Sequence, residues 1–479
     1  MKKRQKHNLS HYRLLTGNAG QLIPVSHYEV LPGDTVQQSS SCLLRASPLL
    51  APVMHRFHTR LHTFFVPFRL LDENWEAFIT GRSTTAPATL NPGTVATGDL
   101  LDYLGVKPGT YANNEDNEIV AFPVRAYNMI WNEYFRDQDI QSEVSLDSLS
   151  LQRVAWGKDY FTSARPWPQK GAAVTLPIGD EALVRFNGAV GDQIGVHDIN
   201  DDLGSVRYTG SGGNPSNTTF NTANPPTQGG YLYADLSGAT AGDVRDVRVA
   251  FALQRYEEAR AMYGSRYTEY LRYLGIRPSD ARLQRPEYLG GGKRDISFSE
   301  VLQTAEGSDP VGTMRGHGIS GMSTRPFRRF FEEHGVVITL LSVRPQSIYQ
   351  DGLHRSFLRR TKEDYYQEEL QYVGQQEIFN AEVYFGNDGE NRSTFGFNDR
   401  YSEYTMHPSG VAGEFRNILN FWHAARDFSA RPALNDTFIT CTPPGRIFAV
   451  PSEDTLWLAV QHRIGARRLV KSNPKARII

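Results

Sequence analysis

Three histidines near residue 60 are the first candidates for chemistry, because imidazoles at short spacing can hold a transition metal. His58 and His62 would share one face of a strand, and His55 comes just before it. No HExxH motif accompanies them, and the nearby carboxylates Asp72 and Glu73 fall in the next element. We therefore expect core or interface histidines, with no metal site and no cofactor.

A second candidate resembles the start of a calcium-binding loop. It consists of Asp198, Asn200 and Asp202, but Leu203 stands where the loop requires Gly and Thr209 where it requires a bidentate Glu. The sequence also contains no nucleophile elbow, phosphate loop or dinucleotide-binding motif. It therefore predicts neither a calcium site nor an enzyme, and no catalytic residue.

The strongest chemical signal is positive charge at the two ends of the chain. Ten of the 51 Lys and Arg residues lie there, and the remaining 41 face 52 Asp and Glu residues. Solvated tails would explain this pattern, but so would ends that bind a polyanion while an acidic body faces elsewhere. The candidate DNA-binding residues are Lys2, Lys3, Arg4, Lys6, Arg463, Arg467, Arg468, Lys471, Lys475 and Arg477.

A further basic run lies in the last third of the chain. A solvated face is the expected interpretation, and a subunit or nucleic-acid contact is the alternative. The run consists of Arg355, Arg359, Arg360 and Lys362.

Composition restricts the class of protein. The chain has 479 residues, of which 39% are hydrophobic and 22% charged, as expected for a sizeable folded core. Cys42 and Cys441 form no disulfide framework, which favours folding in a reducing compartment. We see no secretory signal, and no apolar run of about 18 residues that would insert into a membrane.

The stretch Ser39–Gly81 organises the rest of the chain. Aromatic, β-branched and His residues from Phe57 to Phe68 predict a strand that is covered on both faces for part of its length. Asp72 is placed to cap a short helix that Gly81 ends.

Several further elements follow from periodicity. We predict helices at Pro123–Phe135 and Asp243–Leu274, the latter with a Tyr-rich stripe, and strands at Gly335–Val343 and Thr455–Ile464. Strands at both ends with helices between them favour an antiparallel sandwich over a parallel sheet. Residues 1–20 are interpreted as a basic arm and 463–479 as a basic tail, around one domain (21–479) with loop-like insertions at about 82–122, 157–242 and 276–325.

Two blocks of sequence carry a specific resemblance to a known family. The block from His11 to Gly81 begins HYRLLTGNAGQLIPVSHYEVLPGD, and the block from Phe395 to Arg416 reads FGFNDRYSEYTMHPSGVAGEFR. Together with the basic tail RIGARRLVKSNPKARII, they resemble the major capsid proteins of microviruses, the small single-stranded DNA bacteriophages. The resemblance is closer to the gokushovirus-like branch, and it covers about a third of the chain.

The resemblance implies a mainly β protein built on an eight-stranded antiparallel jelly roll with large inserted loops and several helices. It also implies sixty copies assembled through pentamers into a T=1 shell around a single-stranded DNA genome, made in the host bacterial cytoplasm. Implied partners are other copies of the chain, an internal scaffolding protein, a DNA pilot protein, a small basic DNA-binding protein and a host surface receptor. The candidate host-contact loop is Gly204–Gly242, with Tyr208, Phe220, Tyr231 and Tyr233.

A jelly-roll carbohydrate-binding or carbohydrate-active protein is the alternative. Tryptophans on loops next to paired carboxylates would favour it. Trp156 and Trp167 lie near loops, but no carboxylate pair accompanies them convincingly.

Overall fold

The computed structural model describes residues 4–172, 174, 244–304 and 310–472, and the backbone of six short strands between 183 and 235. The chain divides into two compact units. One is Gly171–Glu257, and the other combines Met1–Lys170 with Glu258–Ile479. The larger unit is mainly β and antiparallel, as predicted.

A seven-stranded sheet contains both ends of the described chain. Its central strand, Leu456–Arg468, pairs with Thr35–Ala46 on one side and with Gln5–Asn8 and His11–Gly17 on the other. The interpretation of residues 1–20 as an arm was therefore wrong for residues 5–17, because their polar side chains alternate along paired strands. The remaining strands are Ser297–Leu302, Met314–Ser323 and Phe327–Phe330.

A four-stranded antiparallel sheet runs in the order Glu287–Asp295, Phe57–Pro67, Gly335–Pro345 and Leu22–Val30. The predicted strand that begins at Phe57 is confirmed. The loop predicted over 276–325 is wrong, since three strands occupy half of it. Composition misled there because glycine suggests a turn, whereas Gly291 lies so close to a neighbouring strand that an added Cβ would be 2.2 Å from the Leu61 carbonyl oxygen.

The two sheets pack face to face. Leu44 and Leu458 from the seven-stranded sheet share one buried cluster with Leu61 and Leu341 from the four-stranded sheet. The opposite face of the four-stranded sheet is covered as well, in a second cluster that contains Phe64, Leu101 and Tyr127. The predicted two-sided burial of the Phe57 strand is thus confirmed. Because the two packed sheets have seven and four strands, the eight-stranded jelly roll stays a prediction.

Helices cover the four-stranded sheet and fill the connections. The predicted long helix is two helices, since Gly264 adopts φ +96 between Val244–Tyr263 and Tyr267–Tyr273. The segment Phe122–Ile130 continues as a π-helical turn, Trp131–Phe135. The other α-helices are Phe68–Leu71, Trp75–Ile79, Leu100–Leu104, Asn380–Val383 and Asp436–Ile439.

Short elements complete the described chain. Turns of 3-10 helix are Glu115–Asn117, Arg355–Phe357, Lys362–Asp364, Glu368–Tyr372, Ser402–Tyr404, Gly413–Arg416, Asn420–Trp422 and Gly445–Ile447. Paired short strands of the larger unit are Thr89–Leu90, Thr94–Val95, Gly109–Thr110, Ile119–Val120, Gln375–Phe379 and Thr394–Asp399.

The described backbone of the smaller unit includes six short strands, although its composition indicates an irregular segment. Four of them form one sheet: Gln193–His197, Leu203–Val206, Phe220–Asn221 and Gly229–Gly230. Two more pair with each other: Leu183–Phe186 and Leu232–Asp235. No helix within the described residues is long and apolar enough to cross a membrane.

Candidate nucleic-acid interface

One face of the seven-stranded sheet carries basic residues from both ends of the chain. Lys6 lies directly opposite Arg467 in the antiparallel register. Arg463 is four residues earlier on the same strand, and because side chains alternate along a strand it projects from the same face as Arg467. His462 and Ile464, which alternate with these arginines, are buried on the core side.

These cations line a groove with a cavity volume of about 560 Å³. Arg328, which lies opposite Gln37 on the neighbouring strand, adds a fourth positive charge. The described residues that line the groove include no carboxylate, and none of the four cations makes an ion pair with a described residue. We call this surface the basic groove; its cations are Lys6, Arg328, Arg463 and Arg467.

Arg468 does not belong to the basic groove. Its side chain lies on the opposite face, where Nε is 2.8 Å from a carboxylate oxygen of the fully buried Asp34. It also donates a hydrogen bond of 2.5 Å to the carbonyl oxygen of Glu29. Arg468 therefore holds the corner between two strands.

The other predicted cations are dispersed. Arg4 donates a 2.7 Å hydrogen bond to the carbonyl oxygen of Gly33, and its guanidinium lies 5.3 Å from the ring centroid of Phe330. Lys471 is exposed beyond the last strand. Lys2, Lys3, Lys475 and Arg477 lie outside the described residues.

Sequence reasoning missed Arg328 as a site residue. The last strand was also predicted too short. The alternation of Arg463, Gly465 and Arg467 at every second residue indicates that this strand continues past Ile464. No signal in the sequence marks Arg328, because only the pairing of its strand with Thr35–Ala46 brings it to the sheet face that carries Arg467.

The same sheet face becomes apolar towards its other end. Leu14 is 74% exposed and Trp457 is 45% exposed, and both border a second groove with a cavity volume of about 590 Å³. Exposed apolar area of this kind is typical of an interaction surface. The bare face thus combines a cationic half and an apolar half.

The internal basic run is not a solvated face. Arg355 binds Glu382 at 2.8 Å, and Arg359 binds Glu403 at 3.3 Å, and both carboxylate side chains are only 3% exposed. Burial is the largest influence on the pKa of Glu382, and raises it, although Arg355 opposes the shift. The solvated interpretation was wrong for these two arginines, although Lys362 of the same run is 88% exposed.

The three histidines do not converge on a common point. The side chain of His55 accepts a hydrogen bond from the backbone N–H of Ala424 at 3.0 Å, and the other ring nitrogen is 2.7 Å from the carbonyl oxygen of Gln346. His58 pairs with Asp295 at 2.7 Å, and His62 packs among aromatic rings. The part of the chain that the structure describes contains no group of three or more His, Cys, Asp or Glu able to hold a metal ion.

The predicted host-contact residues fall in the smaller unit. Phe220 and Tyr233 lie on short strands, opposite Val206 and Arg185 respectively. Tyr208 and Tyr231 lie outside the described residues, as do Asp198, Asn200, Asp202 and Thr209 of the calcium-like segment. The role of Gly204–Gly242 stays a prediction.

The two tryptophans do not form a sugar-binding platform with a carboxylate pair. Trp156 is 4% exposed, and the Arg426 guanidinium lies 5.0 Å from its ring centroid. The Lys170 ammonium lies 5.6 Å from the Trp167 ring centroid. No observation here favours the carbohydrate alternative.

Comparison with known proteins identifies a family. A family model described as "Capsid protein (F protein)" matches residues 1–470. The chain is 34% identical to Capsid protein VP1 of Bdellovibrio phage phiMH2K, over 92% of this chain and 88% of the relative. It is 32% identical to Capsid protein VP1 of Chlamydia phage 1, over 94% and 91%, and 29% identical to that of Spiroplasma virus 4, over 91% and 87%.

Proposed function

This chain belongs to the capsid protein (F protein) family of microviruses, and from that premise we propose that its basic groove holds the single-stranded genome against the shell. The family membership confirms the gokushovirus-like resemblance. The protein is a major capsid protein, a structural component of the virion rather than an enzyme.

The observation that supports this proposal is the unpaired charge of the basic groove. Four cations without a carboxylate among the described lining residues form a surface on which phosphates can replace released counterions. The neighbouring apolar half offers Tyr12 and Trp457, both exposed, on which unpaired bases can stack. The nearly neutral subunit cannot balance a genome by itself, so a small basic DNA-binding protein is the proposed partner for the remaining charge.

The test compares full and empty particles. An amine-reactive reagent should modify Lys6 less in full particles than in empty ones, with the exposed Lys293 outside the groove as the reference. Mass spectrometry of the digested subunit measures both sites. Equal modification of Lys6 in the two kinds of particle would exclude contact between genome and groove.

We also propose the finer architecture that the family resemblance implies. The paired sheets form the jelly roll, and sixty copies assemble through pentamers into a T=1 shell with the aid of a scaffolding protein, alongside a DNA pilot protein. Broad apolar and aromatic surfaces support this proposal, because shells need extended contacts rather than a reactive pocket. Electron microscopy and mass measurement of particles from cells expressing the phage genes test it, since a subunit that never assembles would contradict it.

Host contact is assigned to Gly204–Gly242 as a proposal. Its support is positional, because this segment belongs to the compact unit Gly171–Glu257 and the two packed sheets belong to the other unit. Deleting the segment should leave particles intact but abolish adsorption to the host receptor. Particles that lack it and still adsorb normally would show that another surface binds the host.

A further inference from the structure

A pocket of about 560 Å³ lies at the helix-covered face of the four-stranded sheet, apart from the basic groove. Arg60 and His62 reach it from the strand Phe57–Pro67, and Arg344 reaches it from the adjacent strand. Tyr288 borders it from the edge strand. A volume of this size lies within the range of roughly 300–1,000 Å³ typical of small-molecule sites.

Three arginines of this pocket, Arg60, Arg136 and Arg266, have a buried Nε without a hydrogen-bond partner, but Arg136 and Arg266 donate other hydrogen bonds whereas Arg60 does not. Its guanidinium makes no hydrogen bond or ion pair with any described residue, and its buried Nε lacks a partner. Buried donors of this kind cost free energy unless a ligand satisfies them.

Arg344 reinforces the positive charge beside Arg60. Burial, and secondarily the charge of Arg60, lowers the pKa of Arg344. Within the described chain its side chain donates one hydrogen bond, of 2.8 Å, to the carbonyl oxygen of Ala155. Neither guanidinium makes an ion pair with a described carboxylate, so the two can act together as an anion-binding pair.

Most other cations at the pocket are already neutralised. Asp137 pairs with Lys158 and, at 3.0 Å, with Arg165. Arg266 pairs with Glu269 at 3.7 Å. Arg60, Arg344 and the exposed Arg272 make no ion pair with a described residue, so the free positive charge of the pocket lies at these three.

An aromatic wall adjoins this charge. Tyr288 is 47% exposed, and its ring centroid lies 5.3 Å from that of Phe64 and 6.0 Å from that of His62. Burial lowers the pKa of His62 to about 4, so its ring is neutral at pH 7 and leaves the anion to the arginines. A flat ring beside paired guanidiniums suits a ligand with both a planar base and a phosphate.

We propose that this pocket binds a nucleoside monophosphate unit, with the phosphate on Arg60 and Arg344 and the base against Tyr288. The unit comes either from a free nucleotide or from one residue of a DNA strand. This site goes beyond the proposed genome-binding groove, since it lies elsewhere in the subunit and uses different residues.

Calorimetric titration of the full-length protein tests the proposal, with dAMP, inorganic phosphate and an oligothymidine as probes. Wild type should bind dAMP saturably and phosphate more weakly. Arg60→Gln should weaken dAMP binding about tenfold or more, because it removes charge-assisted hydrogen bonds. The control Arg294→Gln changes an exposed arginine of the edge strand and should leave binding unchanged.

Further variants separate the outcomes. Tyr288→Ala should weaken dAMP binding without affecting phosphate, and it keeps the test valid if Arg60→Gln fails to fold. Loss of oligothymidine binding in Arg60→Gln would assign the site to a DNA strand, whereas loss of dAMP binding alone would assign it to free nucleotides. The proposal would be overturned if wild type did not bind dAMP, or if dAMP binding were lost only in Arg463→Gln/Arg467→Gln. Neither result would decide the function of the basic groove.

Discussion

Removing two charges from the basic groove should change the salt dependence of DNA binding by a calculable amount. On single strands, each neutralised phosphate contributes about −0.7 to the slope of log affinity against log salt. Four groove cations therefore contribute about −2.8, and Arg463→Gln/Arg467→Gln should reduce the slope by about 1.4. Both side chains are exposed, so the substitutions should change the free energy of unfolding by less than about 0.5 kcal/mol each.

The assay is fluorescence anisotropy of a labelled oligothymidine titrated with full-length protein over a series of salt concentrations. Arg468→Gln is the matched control, since its neighbour Arg467 faces the groove and Arg468 faces Asp34. The control should leave the slope unchanged but lower the free energy of unfolding by about 3–5 kcal/mol, because it leaves the buried Asp34 carboxylate without its cation. Equal slopes for wild type and the double variant would refute DNA binding by the basic groove. A reduced slope in Arg468→Gln would refute it as well.

Three further predictions concern the core. Arg355→Met should lower the free energy of unfolding by about 3–5 kcal/mol, since it leaves a buried carboxylate unpaired. The control Lys362→Met should change it by less than about 0.5 kcal/mol. Chemical denaturation measures both variants, and equal effects would contradict the burial of the Arg355 ion pair. Burial depresses the pKa of three histidines to about 4 in the folded protein, so the unfolded chain takes up protons first as pH falls. The free energy of unfolding should therefore be at its full value above about pH 6.5. It should decline towards about pH 4 by about 1.4 kcal/mol per pH unit for each histidine. Melting temperatures between about pH 7 and pH 5 check this, and a flat profile would contradict it; the histidines are His55, His62 and His462. Burial raises the pKa of both cysteines to about 12. A thiol reagent should therefore modify neither cysteine in the native protein and both after denaturation. Rapid labelling of the native protein would contradict their burial.

The core of the fold was predictable because its signals are local. The strand Phe57–Pro67 and the buried strand Gly335–Pro345 carry β-branched and aromatic residues continuously, and both were located correctly. The helix Phe122–Ile130 has its apolar residues on one face. Each of these patterns lies within a single segment of chain, so no knowledge of partners was needed.

The terminal strands were not predictable in the same way. His11–Gly17 exposes every second side chain on the bare sheet face, so it lacks the apolar content of a core strand. Its place in the sheet depends on a partner more than 400 residues away, as in the pairing of Arg13 with Val460. A shorter separation hid the burial of Arg355, whose carboxylate partners Glu382 and Glu403 lie 27 and 48 residues further along the chain.

The position of the strand Leu456–Arg468 has a consequence for biosynthesis. This strand lies between the N-terminal strands and Thr35–Ala46, so those earlier strands have unpaired edges until it emerges from the ribosome. Pairing over such sequence separations is slow, and unpaired edges favour aggregation. A nascent chain or a truncated product that stops before Leu456 cannot complete the seven-stranded sheet. Subunits thus become competent to join a particle only after the strand Leu456–Arg468 has been synthesised, so chains that stop before it are kept out of the shell.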